Sequence, residues 1–468
     1  MVSPPSVMCD KGPPGHYGWT SSINHSPASH GPLTVAIVGG GIIGIITALG
    51  LVHRGLKVTI YERAPEIHES GAAMAFTGLA RHCMRRLDQS VLDALSKVSE
   101  VNRHPYNRYW DGFHPATKEA AQDENAVMFQ VSARELSYCG CLRSHLLREL
   151  SSKLPERVLQ FNKELYNYID DLENDKVVLE FTDGTRAEAD APVAVIGCDG
   201  IHSRVRQLLL GETNPAARAE FSHKVAYRTV VPIAGGIEAL GDDKANNQCA
   251  HLGPDANTVS YPVANWTLLN VSVFLHDPNP WSDPEKMTAP AKREEVSSRL
   301  KNWSPSIQAL VDLFPEDITK WAIFDTADHP AATYAQGRVC IIGDAAHASA
   351  PFHGAGACMG VEDALALATA LASALRYHPD PSPSKTATAV EAALQAYSDV
   401  RLKRSQWLVK SSREMGDIYS WRYPETGNDG AKIKAEFEQR SRNLWDYDID
   451  GMLSNVESAC LRTLSEQQ

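Results

Sequence analysis

The sequence predicts an α/β protein: a mostly parallel sheet entered through a βαβ unit, an inserted antiparallel sheet, and a C-terminal helical region. Three observations carry this prediction. Short apolar strands each end in glycine, a glycine-rich turn joins the first of them to an apolar helix, and a later segment alternates β-branched and aromatic runs with turn residues.

Residues 33–38 read as the first strand, 39–44 as the glycine-rich turn, 45–54 as an apolar helix closed by Gly55, and 57–61 as the second strand. Right-handed crossover makes these two strands parallel. Residues 177–181 and 185–189 flank Asp183 and Gly184, a hairpin signal, so a small antiparallel element is expected there. Residues 192–196 and 339–342 are again short apolar strands ending in glycine, suited to burial on both faces of a parallel sheet. Across 215–325 the pattern changes: 225–232, 258–263 and 268–275 read as strands of an inserted antiparallel sheet. A strongly helical stretch follows at 358–375, then a Pro/Ser linker at 379–384, then helices ending near Glu466.

Composition narrows the class. The chain has 468 residues, 43% hydrophobic and 22% charged, enough for a folded protein of two or three subdomains. Its net charge of -12 argues against a nucleic-acid partner. Nine cysteines are scattered, and Cys139 and Cys141 flank a single glycine, so neither a disulfide framework nor a zinc spacing emerges and a reducing, cytoplasmic setting is expected. Residues 1–31 are rich in Pro, Gly, Ser and His without a secretory apolar run, and read as a disordered leader. The apolar stretch 35–52 contains five glycines and reads as strand, turn and helix, so no membrane segment is expected.

Three motifs carry chemistry. In the first, Gly39 permits a tight turn, Gly41 lets the backbone approach a pyrophosphate, and Gly44 allows close helix packing, while Glu62 ends the next strand where ribose hydroxyls would lie. This is a Rossmann-type dinucleotide signature. The second is Asp199, Gly200, Ser203, Arg204 and Arg206 after a buried strand, where ligands of open α/β sheets collect; a helix capped by Asp199 with solvated arginines is the plainer alternative. The third is Gly343, Asp344, Ala345, Ala346 and His347, then Pro351 and Gly354 to Gly356 before a long helix. Asp344 can hold the ribityl and pyrophosphate end of a flavin nucleotide, and the helix beginning near Ala357 would aim its positive end at the flavin pyrimidine edge. His251, His347 and His353 are candidate acids or bases, but they show no metal-ligand spacing and no metal is expected.

In this order the motifs resemble the single-component (class A) flavoprotein aromatic hydroxylases, which include p-hydroxybenzoate and salicylate hydroxylases, over about residues 33–375. The resemblance implies FAD carried between Glu62, Ala75, Arg143, Asp344 and Ala357, with Asp199 also facing the cofactor. It implies NAD(P)H, by family habit NADPH, and O2 as cosubstrates. Ala355 stands where many members carry glutamine. Longer stretches resemble the fungal monooxygenases that dearomatise phenolic polyketide aldehydes in tropolone, sorbicillinoid and azaphilone pathways. These are Gly71 to Thr77 (GAAMAFT), Ser222 to Arg228 (SHKVAYR), Tyr261 to Asn265 (YPVAN), Trp321 to Thr326 (WAIFDT) and His353 to Met359 (HGAGACM). That likeness implies that Arg228 and Tyr261 face the substrate and that Tyr138 helps orient its ring.

The implied division is a leader over 1–31, a discontinuous FAD-binding domain over 32–214 and 326–378, a substrate-binding sheet over 215–325 and a helical region over 385–468. The implied chemistry, through a C4a-hydroperoxyflavin, needs an electron-rich carbon, and a phenolate serves better than a phenol. Ionising a phenol of pKa about 10 near pH 7 takes about 4 kcal/mol. One guanidinium at an effective dielectric of about 20 supplies an interaction of that order. Arg228 would then hold the phenolate, with Tyr261 donating a hydrogen bond; the alternatives are an Arg228 paired with an acid and a half-buried strand tyrosine. If the attacked carbon bears an alkyl group, rearomatisation is blocked and a hydroxylated dienone results. Decarboxylative hydroxylation of a salicylate and a non-catalytic flavin-binding protein are the competing readings. A small phenolic molecule is the expected partner, to a monomer or homodimer.

Overall fold

The computed structural model describes residues 33–67, 73–114, 127–132, 138–171, 176–187, 194–377 and 383–466. The expected leader, parts of the expected strands at 185–189 and 192–196, and residues 379–382 of the expected linker lie outside the described residues. Pro383 and Ser384, expected in that linker, instead begin a helix.

The βαβ unit forms where the sequence placed it. Strand Thr34–Val38 pairs in parallel with Lys57–Tyr61 on one side and Ala194–Gly197 on the other, and the latter pairs in parallel with Val339–Ile341. Leu159–Gln160 and the antiparallel Ala335–Gln336 complete a six-stranded sheet. Helix Ile42–His53 starts three residues earlier than the expected 45, because Gly41 adopts extended backbone and takes the N-cap position. The main core joins this sheet to helices Ile42–His53, Gly78–Leu87, Gly356–Tyr377 and Ile449–Glu466. Gly356–Tyr377 is long and apolar enough to cross a membrane, but its apolar residues are buried in this core.

The 37-residue helix Pro383–Tyr419 is shared between layers. Val390, Leu394 and Tyr397 near its start belong to the main core, whereas Met415, Ile418 and Tyr419 at its end pack under the second sheet. The C-terminal region is helical as expected, and its first helix, Pro383–Tyr419, links the two sheets.

The second sheet has eight strands, in the order Thr288–Lys292, Asp317–Asp325, Glu220–Pro232, Leu268–His276, Ala256–Val263, Cys249–Gly253, Tyr106–Asp111 and Val127–Ser132. The last two come from within 32–214, so the sheet is not built from 215–325 alone. Nor is it wholly antiparallel, because Cys249–Gly253 pairs in parallel with Tyr106–Asp111. Strand alternation divides its faces. Val225, Tyr227, Val271 and Val273 pack beneath residues of helices Pro305–Asp312 and Arg293–Arg299, whereas Ala226 and Phe274 face Phe352 and Met415. The expected hairpin around Asp183 and Gly184 gains a third strand, Leu165–Asp171. A further three-stranded sheet, Ala73–Phe76, Cys139–Leu142 and Ser99–Val101, lies between the two large ones.

Candidate active site

The glycine turn is shaped for a phosphate. Gly39 has φ +106, and a Cβ there would meet the Cys198 carbonyl oxygen at 2.5 Å. A Cβ on Gly44 would sit 2.0 Å from the Gly39 carbonyl oxygen, so the helix can cross the turn only without a side chain. At Gly41, by contrast, a Cβ would meet nothing within 4 Å, and the helix that begins there has no side-chain cap. The result is an open cradle at a helix end that has no side-chain cap, which fits a pyrophosphate. Glu62 closes the cradle: its carboxylate accepts from the Gly40 N–H at 2.6 Å and the Ala64 N–H at 2.9 Å, leaving lone pairs for ribose hydroxyls.

The second and third motifs are tied together. Asp199 accepts from the Ser203 hydroxyl at 2.5 Å and the Val205 N–H at 3.1 Å, and burial raises its pKa; the N-cap of helix Arg204–Leu210 is Ser203, whose hydroxyl accepts from the Arg206 N–H at 2.9 Å. The arginines are not both solvated, however. Arg204 pairs with Glu212 near the surface, while Arg206 is buried and donates to the carbonyls of Ala345 and Ala346 at 3.0 and 2.7 Å. Asp344 stays exposed between buried neighbours, and its carboxylate lies 3.8 Å from where a Gly356 Cβ would stand, at the start of Gly356–Tyr377. Ala357 is in the first turn of that helix, and Arg143 opens helix Arg143–Ser151. An exposed acid, an arginine and two helix starts suit the polar ends of FAD.

Arg228 and Tyr261 lie on the sheet face that turns toward these motifs. Both flank strand Leu268–His276, with Arg228 opposite Ser272 and Tyr261 opposite Asn270. Two strand spacings and two residues of rise place their α-carbons about 12 Å apart. Their side chains interact electrostatically: burial disfavours the Arg228 charge, Tyr261 supports it and Arg143 opposes it. Among the described residues Arg228 makes no ion pair, and its guanidinium lies 5.9 Å from the Trp321 ring centre. Burial pushes the Tyr261 hydroxyl pKa up, with Arg228 acting against the rise.

A small, partly open cavity adjoins Tyr261, lined by Ala75, Glu100, Tyr138, Gly140, Gln248 and Pro262 among others. Ala75, Gly140 and Glu100 are direct cross-strand partners in the three-stranded sheet and so face the same way. The Tyr261 ring packs on Gly140, where a Cβ would approach it to 2.9 Å. The Tyr138 hydroxyl donates to the His353 carbonyl at 2.9 Å and ties the cavity wall to the Gly354 turn.

The histidines stand elsewhere. His251 and His353 are buried, and burial pushes both pKa values down to about 3, with Lys244 and Arg440 adding to the effect. His347 bonds Asp363 at 2.5 Å; Asp363 also takes the Gly343 N–H and Arg401, which reaches Glu362. This buried network fixes the third motif rather than meeting a ligand. No cluster among the described residues could hold a metal. Sequence reasoning passed over Gly140 and Glu100. The signal for Gly140 was a glycine inside a strand between two apolar cysteines, which marks a close approach; Glu100 carried none.

The profile of the FAD binding domain family matches residues 32–412. An FAD-dependent monooxygenase of Aspergillus terreus is 56% identical over 430 residues, covering 92% of this chain and 97% of its own. Salicylate hydroxylase asL1 of Sarocladium schorii is 43% identical over 439 residues, with 91% and 90% covered. Among solved structures, a salicylate hydroxylase substrate complex superposes with a TM-score of 0.76 at 26% identity, covering 91% of this chain and 98% of that one.

Proposed function

The chain belongs to the FAD binding domain family and is an FAD-dependent monooxygenase, and from that premise we propose that it uses NAD(P)H and O2 to hydroxylate, with dearomatisation, a phenolic polyketide aldehyde of secondary metabolism. The observation that carries this reading is Arg228: a partly buried guanidinium beside Tyr261 with no acid paired to it among the described residues. A cation held in that state lacks its anion, and a phenolate oxygen is the anion the reaction needs.

The residues divide the work. Gly39, Gly41, Gly44 and Glu62 hold the pyrophosphate and ribose; Asp344, Arg143, Ala75 and Ala357 hold the remainder of FAD, and Asp199 sets the loop beside it. Bound FAD, reduced by the nicotinamide, supplies the activated oxygen. Arg228 draws the phenol to its ionised form, Tyr261 donates to the same oxygen, and Tyr138 limits how the ring turns. The apolar packing around Tyr261 and Gly140 keeps water from the reacting ring. Eight free cysteines among the described residues support a reducing, cytoplasmic setting.

Decarboxylative hydroxylation is the second reading, favoured by the likeness to salicylate hydroxylases; there Arg228 would hold a carboxylate. Products separate the two. Purified protein is incubated with NADPH, O2 and either alkylated 2,4-dihydroxybenzaldehydes or salicylates, with mass and chiral analysis. A chiral dienone from the aldehydes is the expected result, and a catechol from the salicylates with no dienone would replace the first reading by the second.

A further inference from the structure

Glu100 is a buried acid that the roles above leave unused. It is 6% exposed and sits on strand Ser99–Val101, one rung from Gly140 and facing the same cavity as Ala75 and Tyr261. One carboxyl oxygen, Oε1, accepts from the Asn265 N–H at 2.5 Å. That contact holds the tip of the hairpin after Ala256–Val263, where Ala264, Asn265 and Trp266 all have positive φ of 54 to 56. Among the described residues the second oxygen, Oε2, is buried without a hydrogen-bond partner.

A structural brace needs only the first oxygen. A buried carboxyl oxygen left unmatched is costly, so its persistence in a cavity wall points to a ligand. Its position is complementary to that of Arg228. Along strand Ala256–Val263, Arg228 lies level with Val259 across Ser272, then comes Tyr261, and the hairpin held by Glu100 follows. A ring stacked near Tyr261 therefore has the cation toward one end and the acid toward the other.

Resting on the proposed function, we infer that Glu100 is a further substrate-binding residue whose free carboxyl oxygen takes a second ring hydroxyl, on the side of Tyr261 away from Arg228. A hydroxyl fits because it can donate to a carboxylate and accept from a carboxylic acid; burial raises the Glu100 pKa, with the Asn265 N–H acting against the rise. A substrate carboxylate in the same place would meet like charge. The residue thus selects rings that carry a second hydroxyl, rather than a carboxylate, at that end.

The test compares wild type with E100Q, whose amide oxygen can keep the Asn265 contact. Dissociation constants for 2,4-dihydroxy-6-methylbenzaldehyde and its two monohydroxy analogues are read from the absorbance change of bound FAD, with melting temperature and FAD content as folding controls. In wild type, the analogue lacking the hydroxyl at Glu100 is expected to bind about tenfold more weakly than the parent. In E100Q that gap is expected to close to about threefold or less, with FAD content unchanged. An unchanged gap, or equal weakening of all three ligands, overturns the inference and leaves Glu100 as a hairpin brace. Wild-type protein that binds none of the three and shows no stimulated NADPH oxidation overturns the proposed function itself, and this inference with it.

Discussion

Removing Arg228 should raise the ionisation point of a bound phenol by about three pH units. At about 4 Å and an effective dielectric of about 20, one guanidinium stabilises a phenolate by about 4 kcal/mol, and about 1.4 kcal/mol corresponds to one unit. The surroundings supply no substitute. Tyr138 and Tyr261 show what burial does to a phenol here: both are pushed up, Tyr261 despite Arg228 beside it. The perturbations are Arg228→Ala, which removes the charge, and Arg228→Lys, which keeps it without the planar fork. The assay is 13C NMR of a ring-labelled alkyl resorcinol bound to the oxidised protein, followed against pH, because the hydroxyl-bearing carbon shifts on ionisation. Wild type is expected to hold the phenolate at pH 7. Arg228→Ala should hold the neutral phenol to about pH 10, retain FAD, and lose turnover by up to about a thousandfold. An unchanged ionisation point, or turnover within twofold of wild type, would refute the reasoning.

Other perturbations test the cofactor cradle and the scaffold behind it. Glu62→Ala loses the acceptor for Gly40 and Ala64 along with any ribose contact, and should weaken FAD binding by about tenfold or more in fluorescence titration of the apoprotein; wild-type affinity would remove the ribose assignment. Gly44→Ala drives a methyl into the Gly39 carbonyl and should give protein purified largely without flavin absorbance; full occupancy would show that the turn can yield. Asp363→Asn breaks a buried charge network and should cost about 3–5 kcal/mol, seen as a lowered melting temperature. Its pH dependence has a definite sign. Burial opposes ionisation of Asp363, but His347 and Arg401 more than reverse this and hold its pKa at about 2, below an unfolded value of about 3.9. Its contribution is therefore present above about pH 4 and lost as pH falls through about 2, so the gap between wild type and variant should narrow across that window.

What could be read along the chain was local. Strand Thr34–Val38, the turn at Gly39 and strand Lys57–Tyr61 were legible because apolar periodicity and glycine's freedom at positive φ act within a few residues. Helix Ile42–His53 was legible in kind but not in its start, since Gly41 serves as N-cap without a capping side chain. The tie from Arg206 to Ala345 and Ala346 was not legible, because it joins residues some 140 positions apart and depends on burial.

The sequence by itself marked the cradle proposed for the cofactor: Gly39, Gly41, Gly44, Glu62 and Asp344 each answer a backbone or charge requirement that neighbouring residues reveal. It also marked Arg228 and Tyr261, by resemblance. Only the tertiary structure decided what surrounds them: that Tyr106–Asp111 and Val127–Ser132 extend the eight-stranded sheet, that Tyr261 rests on Gly140, and that Glu100 enters the same cavity. The physical reason is that a strand's local pattern sets which side chains alternate in and out, whereas its partner and register are chosen by contacts between distant segments.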